Sequence, residues 1–202
     1  MTVAGLTGSI AMGKSTVAGM FAEYGVPAFD SDEAVRVFYA GDGAKAVEAA
    51  FPGVIVSGQV DRERLGARVL GDAEALKRLE GLVHPAVAEA RLHFVERAVA
   101  AGRRLVIVDV PLLFETGAEA SVDLVIVVSA SASIQRARAL ARTGMTEAKL
   151  EAILSRQTSD ADKRRRAHFI IDTSGRLEMT RAIVAQFMRA TAALAGGRTR
   201  HA

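Results

Sequence analysis

The sequence predicts an α/β fold in which helices wind a parallel β-sheet, and three observations predict it. Short apolar, β-branched runs alternate with helical patterns along the 202 residues. The runs are continuously apolar instead of alternating, as strands buried on both faces are. Half of the residues are apolar while only 5% are aromatic and none is Trp, so the core has to be built from Ala, Val, Leu and Ile, which suits helices layered on a sheet. A chain of this length fills one such core with room for one or two excursions.

The first strand is 2–7. It runs into Gly8-Ser9-Ile10-Ala11-Met12-Gly13-Lys14-Ser15, which fits GxxxxGK[ST], and then into a helix over about 14–24 that Gly25 stops. The strand before and the helix after are the context this motif needs. Its glycines let the loop wrap so that consecutive backbone N–H groups face an anion, and the helix N-terminus adds its positive dipole end. The fold class is therefore a P-loop nucleoside-triphosphate hydrolase-like core, with ATP and Mg²⁺ as cofactors. Gly8, Ser9, Ala11, Met12, Gly13, Lys14, Ser15 and Thr16 are the expected ATP-binding residues. Lys14 is expected to reach the β- and γ-phosphates, and the Ser15 hydroxyl to ligate Mg²⁺.

The second strand, 26–29, leads directly into Asp30-Ser31-Asp32, two carboxylates at a carboxyl edge of the sheet, where doubly wound folds bind ligands. Transfer of a phosphoryl group to an alcohol needs a group that orients the hydroxyl and accepts its proton. Asp32 is the favoured candidate, and in extended backbone Asp30 and Asp32 would point oppositely unless Asp30 or Ser31 caps the next helix. Residues 31–100 contain no convincing strand and read as a helical insertion, with helix in the stretch 61–101 broken at Pro85. The strand 105–110 carries Asp109 at its end, placed to assist the metal.

A strand at 124–128 precedes helices at about 131–143 and 146–158. Between Ile134 and His168 nine Lys/Arg stand against four Asp/Glu, while the whole chain carries only +3, so the cationic surface is local and implies an anionic ligand. Arg138 and Arg142 share one helix face just before Thr143-Gly144, and a mobile segment carrying arginines over the phosphates is one way to keep water off them. This makes 137–167 the expected lid. A strand at 169–171 and a helix from about 176 to 195 complete the chain, and Gly196-Gly197-Arg198-Thr199-Arg200-His201-Ala202 reads as a frayed end.

Composition excludes other classes. The chain has no Cys, which removes disulfides, thiolate metal sites and thiol nucleophiles. No signal peptide and no run of about 20 apolar residues is visible, pointing to a cytoplasmic chain without a membrane partner. A guanine-reading switch would carry Asn-Lys-x-Asp, and the chain has no Asn. A nucleic-acid-binding ATPase, which the cationic stretch suggests, would find few stacking platforms in a chain with no Trp and sparse aromatics. A small-molecule kinase remains, acting as a monomer or small homo-oligomer, with a nucleoside-monophosphate or shikimate-type kinase as the alternative within that class.

The assembled features resemble the dephospho-CoA kinase family over nearly the whole chain. The resemblance is carried by residues 5–16, Asp30-Ser31-Asp32, His84-Pro85 with Arg91, Pro111-Leu112-Leu113-Phe114-Glu115, the Gln135, Arg138, Arg142 pattern leading to Gln157, and Ile171-Asp172. It implies ATP-dependent phosphorylation of the ribose 3′-hydroxyl of dephospho-CoA, the last step of coenzyme A synthesis. It also implies that Asp32 serves that hydroxyl, that Arg142 belongs to the lid, and that His84, Arg91, Leu113, Phe114 and Glu115 receive the acceptor. The implied organisation is a nucleotide-binding core of 1–30, 101–136 and 168–202, an acceptor region of 31–100 and a lid of 137–167. Two departures stand out: Ser9, Ala11 and Met12 in the loop, and Thr173-Ser174-Gly175 where the family usually shows Asn after the Asp.

Overall fold

The computed structural model describes residues 1–197; of the tail expected to fray, 198–202 lie outside the described residues. In chain order the elements are β1 (Thr2–Thr7), α1 (Lys14–Glu23), β2 (Ala28–Asp30), α2 (Ser31–Ala40), α3 (Gly43–Ala50), β3 (Ile55–Val56), β4 (Gln59–Val60), α4 (Arg62–Val69) and α5 (Ala73–Ala100). They continue as β5 (Leu105–Asp109), a 3-10 turn (Ala118–Ser121), β6 (Leu124–Ser129), α6 (Ala132–Leu140), α7 (Glu147–Leu154), α8 (Asp160–Arg166), β7 (Phe169–Asp172) and α9 (Leu177–Gly197).

The main sheet has the order β2-β5-β1-β6-β7. β1 pairs in parallel with β5 on one side and β6 on the other, and β6 pairs in parallel with β7. Every residue of β5 is buried, as the unbroken apolar run requires of a strand covered on both faces. Strand order reverses about β1, so the carboxyl ends of β1, β5 and β6 form the switch point at which open α/β sheets bind ligands. The register sets Leu6 beside both Asp109 and Ile126, which brings the end of β5 next to the chain entering the glycine-rich loop.

The chain divides into two compact units, Met1–Phe29 with the chain from Ala98 onward, and Asp30–Arg97. In the first, α1 and α9 cover the sheet, and Phe187 meets Phe21 edge-on with ring centroids 5.5 Å apart and Phe169 at 5.0 Å. The second has its own core around Val47, Phe51, Val54, Leu65 and Leu79. There Glu48 accepts from the N–H groups of Gly53 (2.7 Å), Val54 (3.1 Å) and Ile55 (3.0 Å), fixing the turn that leads into β3. The Gly53 bond, opposed by burial and joined by the other two, holds the Glu48 carboxyl below its ordinary value.

Four features differ from the sequence reading. The second strand is Ala28–Asp30 instead of 26–29. The insertion contains strands, the two-residue pair β3 and β4, antiparallel and too short to show a period. Helix α5 runs unbroken for 28 residues through Pro85. Pro85 forfeits one backbone hydrogen bond and crowds the preceding turn, at about 3 kcal/mol. Leu79 and Val83, each 8% exposed in the unit's core, contribute about 1.5–3 kcal/mol apiece on burial, which outweighs that cost. Finally, α8 is a separate helix. The Ser159 side chain accepts from the Asp162 N–H, acids occupy the first turn, and Lys163 to Arg166 fill the last, an arrangement that complements the helix dipole.

Candidate active site

The glycine-rich loop is shaped by close approach on one side and positive φ on the other. A Cβ on Gly8 would lie 2.6 Å from the Val128 carbonyl oxygen, so no side chain fits. Gly13 has φ 90 and stands as the N-cap of α1; Ala11, with φ 62, is one of two non-glycine residues with positive φ among those described. Between them the Met12 N–H closes a turn on the Ser9 carbonyl at 3.2 Å. Met12 is 1% exposed, and its sulfur accepts from the Ala130 N–H at 3.0 Å, so it can meet a nucleotide only through its backbone. Ser15 and Thr16 are exposed on the first turn of α1. Lys14 forms an ion pair with Asp109, which joins the loop to the end of β5.

Beside the loop lies a cavity of about 300 Å³ lined by Ala11, Gly13, Thr16, Arg138, Arg142, Thr173, Gly175, Leu177 and Thr180. Thr173 is its keystone. Its hydroxyl donates to the Met12 carbonyl at 2.8 Å and accepts from Arg138 Nη1 at 3.0 Å, while Arg138 Nη2 reaches the Thr173 carbonyl at 2.7 Å. The Thr173 N–H in turn donates to the Ser129 carbonyl at 2.9 Å. The segment departing from the family pattern is thus built into the wall of the cavity. Asp172 accepts from the Ser174 N–H at 2.6 Å, and the bonds to Ser174 hold its carboxyl below the ordinary value. No carboxylate lines the cavity and two guanidinium groups do, so its chemistry suits an anion.

In the second unit, Asp30 is the N-cap of α2. Its carboxylate accepts from the N–H groups of Asp32 (2.9 Å) and Glu33 (3.1 Å). The expectation of two oppositely directed carboxylates in extended backbone is therefore replaced: Asp30 is extended but Asp32 already belongs to the first turn of the helix, where it is exposed. His84 and Arg91 lie seven residues apart on α5, two turns along nearly one face. His84 is exposed and Arg91 half-buried.

Leu113, Phe114 and Glu115, expected at the acceptor, are engaged inside the first unit. Leu113 is fully buried and Phe114 nearly so, packed with Val125 and Val127, and the Arg166 guanidinium lies 4.2 Å above the Phe114 ring. Glu115 pairs with Lys163 at 3.0 Å and accepts from the Thr158 N–H at 2.7 Å. Burial pushes the Glu115 carboxyl up, but the Lys163 ammonium beside it and the hydrogen bond from the Thr158 N–H outweigh it and leave the carboxyl below its ordinary value. Lys163 is fully buried. In α8, Asp160 accepts from Ser129 Oγ at 2.8 Å and Arg164 reaches the same hydroxyl at 3.0 Å, so part of the cationic run is spent on internal pairing.

Sequence reasoning marked Thr173 only as a departure from the resembled pattern and not as Arg138's partner, and named Gln135 and Gln157 only among the residues that carry the resemblance, with no role for either, though both reach the loop. The available signal was their chemistry: uncharged, polar and set at either end of a charged segment. Among the described residues no group of three or more His, Asp or Glu is placed to hold a metal unaided, and no helix is long and apolar enough to cross a membrane.

The sequence model of the dephospho-CoA kinase family matches residues 2–178. A dephospho-CoA kinase of Mesorhizobium japonicum is 59% identical over 184 residues, covering 91% of this chain and 93% of its own. One from Rhodopseudomonas palustris is 54% identical over 192 residues, covering 95% and 96%. Among solved structures, TT1252 from Thermus thermophilus superimposes with a TM-score of 0.82 at 32% identity, covering 93% of this chain and 97% of its own.

Proposed function

Because the chain belongs to the dephospho-CoA kinase family, we propose that residues 8–16 hold ATP, that Asp32 serves the acceptor's ribose 3′-hydroxyl, and that Arg138 and Arg142 balance charge on the phosphoryl group in transit. The reaction it catalyses is transfer of a phosphate from ATP to dephospho-CoA. The observation that carries the residue assignments is the loop itself, with Lys14 ion-paired to Asp109 where β1 and β5 end side by side. An ammonium held at that spot by a carboxylate is aimed by its partner and not by chance rotamer choice.

In the proposed mechanism the acceptor oxygen attacks the γ-phosphorus, the bond from that phosphorus to the β,γ-bridging oxygen breaks, and the hydroxyl proton passes to the Asp32 carboxylate. Lys14 and the loop N–H groups receive the charge that gathers on the phosphate oxygens. Arg138, bonded twice to Thr173, supplies a positive charge at the root of the proposed 137–167 lid, and the exposed Arg142 is carried over the phosphates as the lid beyond that root closes. The Ser15 hydroxyl and the Asp109 carboxylate are hard oxygen donors of the kind Mg²⁺ takes alongside substrate phosphates, and both fit it here: Ser15 is exposed beside Lys14, and Asp109 already binds a cation. When bound, the ion would supply Lewis-acid neutralisation of phosphate charge. His84 and Arg91 on α5 are the proposed contacts for the acceptor's remaining groups.

The test is ADP release with Mg·ATP and dephospho-CoA, run beside AMP, CMP and shikimate, with products identified by mass. Turnover with dephospho-CoA alone is expected; turnover on another acceptor alone would overturn the acceptor assignment. Asp32→Asn should lower kcat by about 10²-fold or more while leaving the KM for ATP within about twofold. Equal losses in the two would make Asp32 structural.

A further inference from the structure

Two glutamines converge on one residue of the phosphate loop. Gln135, on α6 and 8% exposed, donates from Nε2 to the Ile10 carbonyl at 2.9 Å. The Ile10 N–H donates to Oε1 of Gln157 at 3.1 Å. A carbonyl only accepts and a backbone N–H only donates, so the orientation of each amide is dictated: Gln135 has to present its NH₂ and Gln157 its oxygen. The residue they grip stands immediately before Ala11, whose left-handed φ of 62 is disfavoured for any residue with a Cβ. Such a conformation persists only where its surroundings over-determine it. Here the surroundings are the two amides, together with a small apolar cluster of Ala11, Ala139 of α6 and Leu150 of α7.

We infer that Gln135 and Gln157 are positioning residues for phosphoryl transfer, holding the two peptides that flank Ile10 so that the loop N–H groups aim at the phosphates. They stand at the two ends of the segment that carries Arg142 and α7, so the shape of the loop is tied to that segment at both of its roots. The second root is stapled twice, because Thr158, the residue after Gln157, donates to Glu115, which in turn pairs with the buried Lys163. Any strain that the arginine-bearing segment exerts on these roots is delivered to Ile10. The glutamines act through the loop and need no contact with the nucleotide.

This rests on residues 8–16 being the ATP cradle, which Lys14→Ala reads separately: ATP affinity in that variant equal to the parent's would sink the cradle, whereas its loss beside unchanged glutamine variants would sink only this inference. The same substitution is made at both positions. Gln157→Glu keeps an acceptor for the Ile10 N–H, whereas Gln135→Glu sets a carboxylate against a carbonyl, and the two add the same charge near the phosphates. ATP affinity is measured by calorimetry without acceptor, followed by kcat and both KM values and by thermal midpoints. Gln135→Glu should weaken ATP binding about tenfold, the equivalent of one lost hydrogen bond, while Gln157→Glu stays within about threefold of the parent and the KM for dephospho-CoA is unchanged in both. Gln157→Met, which removes the acceptor without charge, should fall to the Gln135→Glu level. Gln135→Met serves for Gln135→Glu if that variant does not fold. Equal ATP affinities for the two Glu variants, or losses that track the thermal midpoint and spread to dephospho-CoA, would overturn the inference. Because calorimetry reads ATP alone, failure of the parent to turn over dephospho-CoA would sink the acceptor assignment and leave this one standing.

Discussion

Glycines of the same chain respond to an added methyl in opposite ways, and the distances say which. At Gly8 a Cβ would stand 2.6 Å from the Val128 carbonyl oxygen, an approach that forces β1 and β6 apart just where the phosphate loop begins. Gly8→Ala should destabilise the protein by about 1–3 kcal/mol and abolish the thermal stabilisation by ATP. At Gly81, exposed on α5, nothing lies within 4 Å of the same methyl, and Gly81→Ala should stabilise by about 0.5–1 kcal/mol through the unfolded chain and helix propensity. Denaturant midpoints of the two variants should move in opposite directions, and a common direction would refute the steric argument. The glycine-rich loop was legible from sequence because its chemistry is local: spacing, strand before, helix after. Thr173 was not, since its hydrogen bonds to Met12 and Arg138 span 161 and 35 residues and no local pattern announces partners so distant.

Among the elements, α8 shows how a charge run misleads when read as surface. Lys163 is fully buried against Glu115, whose side chain keeps 14% exposure. Glu115→Gln would leave the ammonium buried without a counter-charge and should cost about 3–5 kcal/mol, toward the lower end because Glu115 retains some solvent. Replacing both by Leu should cost less than the single change, which a double-mutant cycle by urea unfolding reads. Since the folded Glu115 carboxyl lies below its ordinary value of 4.5, its contribution is fully present above that value and is lost as pH falls through the folded one. The parent should therefore lose stability on acidification below about pH 4.5 more steeply than Glu115→Gln. The long helix through Pro85 and the hairpin of β3 and β4 escaped sequence reading for related reasons. A proline argues locally for a break that distant packing overrides, and two-residue strands carry no period.

At the scale of the molecule, the parallel sheet and the chain order of its strands followed from continuous apolar runs, because burial on both faces leaves that mark in any such strand. Order within the sheet did not, as it depends on crossovers the runs do not encode. Binding at one unit should register in global stability: Mg·ATP at 100 times its Kd should add about 2.7 kcal/mol. Lys14→Ala, which takes the ammonium away from the Asp109 carboxylate, should fold with a lowered thermal midpoint and lose that increment, and a retained increment would place the nucleotide elsewhere. The Met12 sulfur, buried beneath the loop and accepting the Ala130 N–H, has a consequence for oxidative damage. With no Cys in the chain, peroxide is left with methionine thioethers, and the sulfoxide is polar and bulkier. At the exposed Met179 that change alters little, whereas at Met12 it would put an oxygen into the packed floor of the phosphate loop. Peroxide reaches that sulfur only when the protein opens, so inactivation by oxidant should proceed at the pace of unfolding and be slowed by bound nucleotide.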